Sequence, residues 1–170
     1  MILVIVRHGD ALPADGSPGG DPTRPLSEQG ETDIQALGLI LSHVSPPVSR
    51  ILTSPLLRAK QTGLILARTI NPPLHAEQTD LLTPGFRHKP LLDSLGSDKE
   101  GTVIAVGHEP DCSGLVSHLV AGQTIHMRMR PGTAAAVQTS RTDSQDGRLL
   151  WVLTPELVRQ MTESHQRRNA

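Results

Sequence analysis

The chain has no tyrosine, and in 170 residues Phe86 and Trp151 are its only aromatic carbocycles and indoles. So few rings exclude a stacking platform for single-stranded nucleic acid, which needs several exposed aromatics. The core must therefore be built from Leu, Ile, Val and Ala. Cys112 is the only cysteine, which excludes an internal disulfide framework and suits a reducing compartment. Charge of one sign is also lacking: 16 Lys and Arg stand against 17 Asp and Glu. No global field gathers nucleic acid or an anionic membrane, so any anion site must be local. Long apolar runs are missing as well. Ile2–Val6 is too short for a signal h-region or a membrane span, and Arg7 ends it. These absences predict a cytoplasmic protein that binds neither nucleic acid nor membrane, with a length that fits one domain, 1–170.

What is present is an alternation of strand and helix. Ile2–Val6 is β-branched and apolar without polar alternation, the pattern of a strand covered on both faces. Residues 13–25 are dense in Pro, Gly, Asp and Ser and predict a long surface loop. Ser27 suits the N-cap of a helix running to about His43, with Ile34, Leu37, Leu41 and Val44 on one face. Arg50–Thr53 predicts a second strand; Ser54 then fits an N-cap and Pro55 the first position of a helix to about Thr69. An extended segment near His75–Gln78 and a helix around Lys89–Leu95 follow. Thr102–Val106 repeats the N-terminal pattern, with Gly107-His108 at its exit and a helix from Asp111 to about Val120. Ala134–Gln138 and Leu149–Leu153 predict late strands around a polar turn at 140–148, and the tail from Pro155 is helical. The expected fold is α/β, a layered sandwich with a mostly parallel sheet.

Ligands of such sheets sit outside the carboxyl ends of the strands. Arg7-His8-Gly9, the stretch from Ser54 to Arg58, and Gly107-His108-Glu109 all follow strand ends, so they converge on one rim. Two arginines, two histidines and a helix N-terminus suit a dianionic phosphoryl group. A neutral imidazole attacks phosphorus when its other nitrogen donates to a fixed acceptor. A second imidazole, protonated, would stabilise the equatorial oxygens, so the site calls for two histidines in opposite states. His8, beside Arg7 and followed by Gly9 to admit the phosphate, is the better nucleophile. A cation at Arg58 opposes the helix dipole, which favours an anion ligand there.

The stretches "VRHGDA", "RPLSEQG", "SPLLRAKQT" and "GHEP" resemble, in order, the motifs of the histidine phosphatase superfamily, most closely its SixA-type phosphohistidine phosphatase branch. The resemblance covers residues 1 to about 112. It implies a three-layer sandwich without the large helical insertion of bigger members. It implies His8 as the phosphorylated nucleophile, with Arg7, Arg58 and His108 holding the phosphoryl group. It implies no metal and no cofactor, because the arginines supply the charge that magnesium supplies elsewhere. The eight histidines form no HxxxH or HExxH pair, which agrees.

Larger members carry a carboxylic acid between the second and last motifs that protonates the leaving oxygen. Here the candidates are Asp80 in "EQTDLLTPG" and, more distantly, Glu77, with Asp10, Glu109 and Asp111 as alternatives. An imidazole already protonated on its second nitrogen leaves phosphorus far more easily than an alkoxide. A weak or missing acid therefore points to phosphohistidine as substrate. Substrate contacts are expected from Gly9, Ser54 (otherwise a cap), Thr62 one turn beyond Arg58, and Arg24, unless Arg24 pairs with Asp21. The expected partner is a phosphorylated protein, such as a phosphorelay domain, or else a small phosphorylated metabolite; the third reading is a non-catalytic phosphate-binding module.

Overall fold

The structure, a computed structural model, describes residues 1–14, 20–44, 46–70, 74–96, 101–139 and 147–168. Its six-stranded sheet is ordered β3 (Ala76–Gln78), β2 (Val48–Thr53), β4 (Thr102–Gly107), β1 (Ile2–Arg7), β5 (Ala134–Gln138), β6 (Arg148–Leu153). The pairs β2–β3, β2–β4 and β1–β4 are parallel, and β5 runs against both of its neighbours. β1 is covered on both faces, as its unbroken apolar run requires. Val4 and Val6 belong to one apolar layer with Ile34 and Leu37 of α1 (Glu28–Val44), Leu66 of α2 (Leu57–Ile70) and Val158 of α5 (Pro155–Arg168). Leu3 and Ile5 belong to the other, with Leu91 of α3 (His88–Ser94) and Leu115 and Leu119 of α4 (Asp111–Ala121). Leu3 to Val6 are each at most 1% exposed, and burying such a side chain contributes about 1.5–3 kcal/mol. The result is a three-layer α/β sandwich. Between α2 and β4 the described residues form only β3, a 3-10 turn at Asp80–Leu82 and α3, so no large helical insertion lies there.

Parallel register places the site. Arg7 pairs with Gly107 and Val6 with Val106, while Thr53 of β2 also pairs with Val106. The three strands thus end at one level. The ladder continues beyond them: His8 N–H donates to the Gly107 carbonyl and Ser54 N–H to the Val106 carbonyl, both at 3.0 Å.

Two expectations are corrected. α2 begins at Leu57 rather than Pro55. The Leu56 carbonyl, accepting from the Lys60 and Ala59 N–H groups at 3.0 Å, is where its bonding starts. Ser54 is held as an extension of β2, which leaves Pro55 and Leu56 to turn the corner. β2 begins at Val48, two residues before the predicted start, with an irregularity between Val48 and Arg50. Ser27 caps α1 as expected, its hydroxyl accepting from Gly30 N–H at 3.0 Å. Most of the predicted turn at 140–148 lies outside the described residues.

Candidate active site

His8 leaves β1 with its ring buried and its backbone fixed from two sides, since Gly132 N–H donates to the His8 carbonyl at 2.9 Å. Its Nδ1 lies 2.7 Å from the Gly9 carbonyl. A carbonyl only accepts, so Nδ1 carries the proton and the lone pair sits on Nε2. Into that lone pair Arg58 Nε donates at 3.1 Å. Burial lowers the His8 pKa to about 4, opposed by the Gly9 carbonyl and helped by the cationic Arg58, Arg7 and Arg24. The ring is neutral at pH 7.

His108 leaves β4 with its ring centroid 5.1 Å from that of His8. Its Nδ1 faces Arg58 Nη2 at 3.4 Å and its Nε2 lies 2.9 Å from Ser54 Oγ. A guanidinium only donates, so here the lone pair is on Nδ1 and Nε2–H donates to the serine. Burial, then the neighbouring His8 and Arg58, lowers this pKa to about 3. Two imidazoles in opposite protonation states are expected of the reacting site; burial among cations favours the neutral form of both rings here, and the two differ in tautomer.

Arg58 is buried at the start of α2, and each of its three nitrogens has a partner. Besides the two histidines, its Nη1 donates to the Asp21 carbonyl at 2.9 Å and its Nη2 to Asp21 Oδ2 at 3.2 Å. Asp21 Oδ1 accepts from Arg24 Nη1 at 3.0 Å, so one carboxylate bridges two guanidiniums. Burial works against that charge, yet Arg58 first and then Arg24 hold the Asp21 carboxyl below the usual range. Arg24 Nε is tied to the Leu12 carbonyl at 2.6 Å. Arg7 Nη1 donates to the Met129 carbonyl at 2.8 Å, whereas its buried Nε has no hydrogen-bond partner among the described residues. Asp21 as a partner of Arg58 and the Met129 carbonyl escaped sequence reasoning. Only the spacing of Asp21 to Arg24 hinted at the first, and a backbone acceptor leaves no residue signature.

The other candidates sit behind or beside the two histidines. Ser54 positions His108. Thr62 is fully buried; its hydroxyl donates to the Arg58 carbonyl at 2.7 Å and accepts from Gly9 N–H at 3.0 Å, tying the loop after β1 to α2. A Cβ at Gly9 would lie 2.9 Å from Ile34 Cγ1 and 3.2 Å from the Gly30 carbonyl, so its missing side chain has a packing reason that does not require a phosphate. Asp10 Oδ2 accepts from Ser27 Oγ at 2.7 Å, fastening that loop to the cap of α1. Glu109 accepts backbone N–H groups on both oxygens, Met129 at 2.8 Å and Ser113 at 3.1 Å. Asp111 accepts from Gly85 N–H at 2.7 Å, and Glu77 pairs with Arg50 at 3.0 Å. Asp80 is exposed at the start of its 3-10 turn.

Strand exits carrying Arg-His-Gly and Gly-His, with an arginine between the rings, define a phosphoryl-transfer class, and comparison with known proteins agrees. Residues 3–83 match the model of the histidine phosphatase superfamily (branch 1). The phosphohistidine phosphatase SixA of Escherichia coli (strain K12) is 30% identical over 159 residues, 91% of this chain and 94% of that one. The chain belongs to the histidine phosphatase superfamily, is a phosphatase, and within that superfamily is of the SixA type. A solved structure of the protein histidine phosphatase SixA complexed with tungstate superposes with a TM-score of 0.79 at 28% identity, covering 91% of this chain and 97% of that one. An alpha-ribazole phosphatase from Shigella flexneri, at 19% identity and a TM-score of 0.63 over 91% of this chain and 97% of that one, shares the fold. Among the described residues no helix is long and apolar enough to cross a membrane.

Proposed function

We propose that this phosphatase removes the phosphoryl group from phosphohistidine in a signalling or phosphorelay protein, through a covalent phosphohistidine on His8. The observation that carries the reading is the His8 tautomer. With Nδ1–H on the Gly9 carbonyl, the Nε2 lone pair faces Arg58, with the His108 ring centroid 5.1 Å from that of His8 and the charge of Arg7 acting on the same ring. Nε2 attacks phosphorus, the bond from phosphorus to the substrate imidazole breaks, and the cationic ring that forms on His8 is stabilised by the carbonyl at Nδ1–H. Water then attacks phosphorus, the bond to Nε2 breaks, and inorganic phosphate leaves with the proton that water sheds.

Arg58 and Arg7 are the donors for the equatorial oxygens. The unpartnered Arg7 Nε supports this, since a buried donor without an acceptor is costly until an anion supplies one. His108 joins them by taking a proton on Nδ1 once a dianion offsets the cations that keep it neutral. The carboxyls support the choice of substrate. Asp10, Glu109, Asp111 and Glu77 are each engaged by other groups, which leaves Asp80, exposed at the start of its 3-10 turn, as the one candidate acid not so engaged. A phosphoramidate leaving group needs no general acid, because an imidazole protonated on its far nitrogen departs neutral.

The test is competition between a phosphohistidine-bearing phosphotransfer domain and an alkyl phosphomonoester. Faster turnover of the phosphoprotein is expected, with an acid-labile, alkali-stable phosphoenzyme trapped in wild type and lost in His8→Ala. Preferential hydrolysis of the monoester would replace the protein substrate by a small phosphorylated metabolite. Label retained in His8→Ala would remove His8 as nucleophile.

A further inference from the structure

We propose that Asp21 is a specificity-determining residue: its carboxylate and carbonyl occupy the face of Arg58 that the substrate's phosphoryl oxygens must take, so only an anion of high charge displaces them. The inference rests on the phosphoryl site proposed above. Arg58 Nη1 and Nη2 meet two oxygens of a single residue, the Asp21 carbonyl and Oδ2, at 2.9 and 3.2 Å. A phosphoryl group offers a guanidinium the same pair of acceptors. Asp21 thus makes with Arg58 the arrangement that a phosphoryl group would make.

The two sides of this contact are unequal. The Arg58 side chain is 7% exposed and that of Asp21 is 52% exposed. A half-exposed carboxylate is well hydrated on release, so its ion pair is weak. The guanidinium is not, and its charge needs an acceptor at all times. Asp21 meets that need between turnovers, and a dianion that also reaches Arg7 and His8 outcompetes it. An oxyanion with a single charge has less to offer in exchange and is refused, which is selection by a built-in competitor. Asp21 Oδ1 also holds Arg24, so departure of the carboxylate frees Nη1 of a second guanidinium, whose Nε stays on the Leu12 carbonyl.

Calorimetric titration of the full-length enzyme with inorganic phosphate, and with methanesulfonate as a tetrahedral single-charge anion, tests the assignment. Asp21→Asn keeps the size and the backbone carbonyl and removes the charge. The expected result is phosphate binding tighter on the order of tenfold, with methanesulfonate gaining measurable binding that wild type lacks. Weaker phosphate binding would make Asp21 a residue that positions Arg58, and unchanged binding of both anions would deny it any role; either overturns the proposal. The same titration in Arg24→Gln with Asp21→Asn keeps the gain if Arg58 is the group released, and loses it if the assignment to Arg58 is wrong. Arg58→Ala separates the underlying reading: phosphate bound as tightly as by wild type would remove the site itself, whereas loss of binding there with no gain in Asp21→Asn sinks only the role of Asp21.

Discussion

The exits of β1 and β4 are near copies in sequence and opposites in chemistry. Both are apolar strands followed by a histidine beside a glycine, both end at one level of the sheet, and both rings are buried beside Arg58. The difference lies in what each ring donates to. His8 gives its Nδ1 proton to the Gly9 carbonyl next in the chain, which leaves Nε2, the outer nitrogen, as the base. His108 gives its Nε2 proton to Ser54, a residue 54 positions away, which leaves the inner Nδ1. In the proposed mechanism one acceptor sets up a nucleophile and the other a stabilising group. Role follows from the second hydrogen bond of each imidazole, not from the motif that contains it.

The sharpest way to break the comparison is His8→Ala, expected to lower kcat by about 10⁴-fold or more and to abolish the phosphoenzyme in a rapid-quench experiment. His108→Ala should cost about 10²–10³-fold, with the phosphoenzyme still forming, because a charge stabiliser is lost and the nucleophile kept. A phosphoenzyme from His108 in the His8→Ala background would collapse the distinction. Ser54→Ala removes the acceptor that sets the His108 tautomer and should lower kcat about 10–100-fold with little change in melting temperature.

The pH profile sharpens the same contrast. In the proposed mechanism neutral His8 is the active form, and its pKa is lowered to about 4. The acid limb of kcat/KM, corrected for ionisation of the substrate, should therefore fall near that value rather than near the 6.5 of an ordinary histidine. A limb close to 6.5 would mean that the ring is not held neutral by its surroundings. Gly9→Ala has the smallest expected effect on chemistry and a plain one on stability. Contact with Ile34 Cγ1 and an immovable Gly30 carbonyl should destabilise the fold by about 1–3 kcal/mol, read as a lower melting temperature.

Much of this is legible in the sequence. The apolar run Ile2–Val6 announces a doubly covered strand, and the three strand exits place Arg7, His8, Arg58 and His108 on one rim. The acids were harder to read. Asp10, Glu109 and Asp111 stand beside the motifs, yet each is consumed by a backbone N–H or a hydroxyl from another element. Chain proximity to a motif says nothing of which donor arrives there. Gly9, expected to leave room for a ligand, also leaves room for α1.

The sequence by itself determined the layered α/β class, the rim, and the residue types that meet there, because strand burial and chain direction follow from local pattern. The tertiary structure alone decided the tautomer of His108, the engagement of Arg58 by Asp21 across 37 positions, and the capture of Arg7 by a carbonyl 122 positions away. Those are hydrogen bonds between groups that only folding brings within 3.5 Å of each other, and a proton's place on an imidazole is set by such a partner.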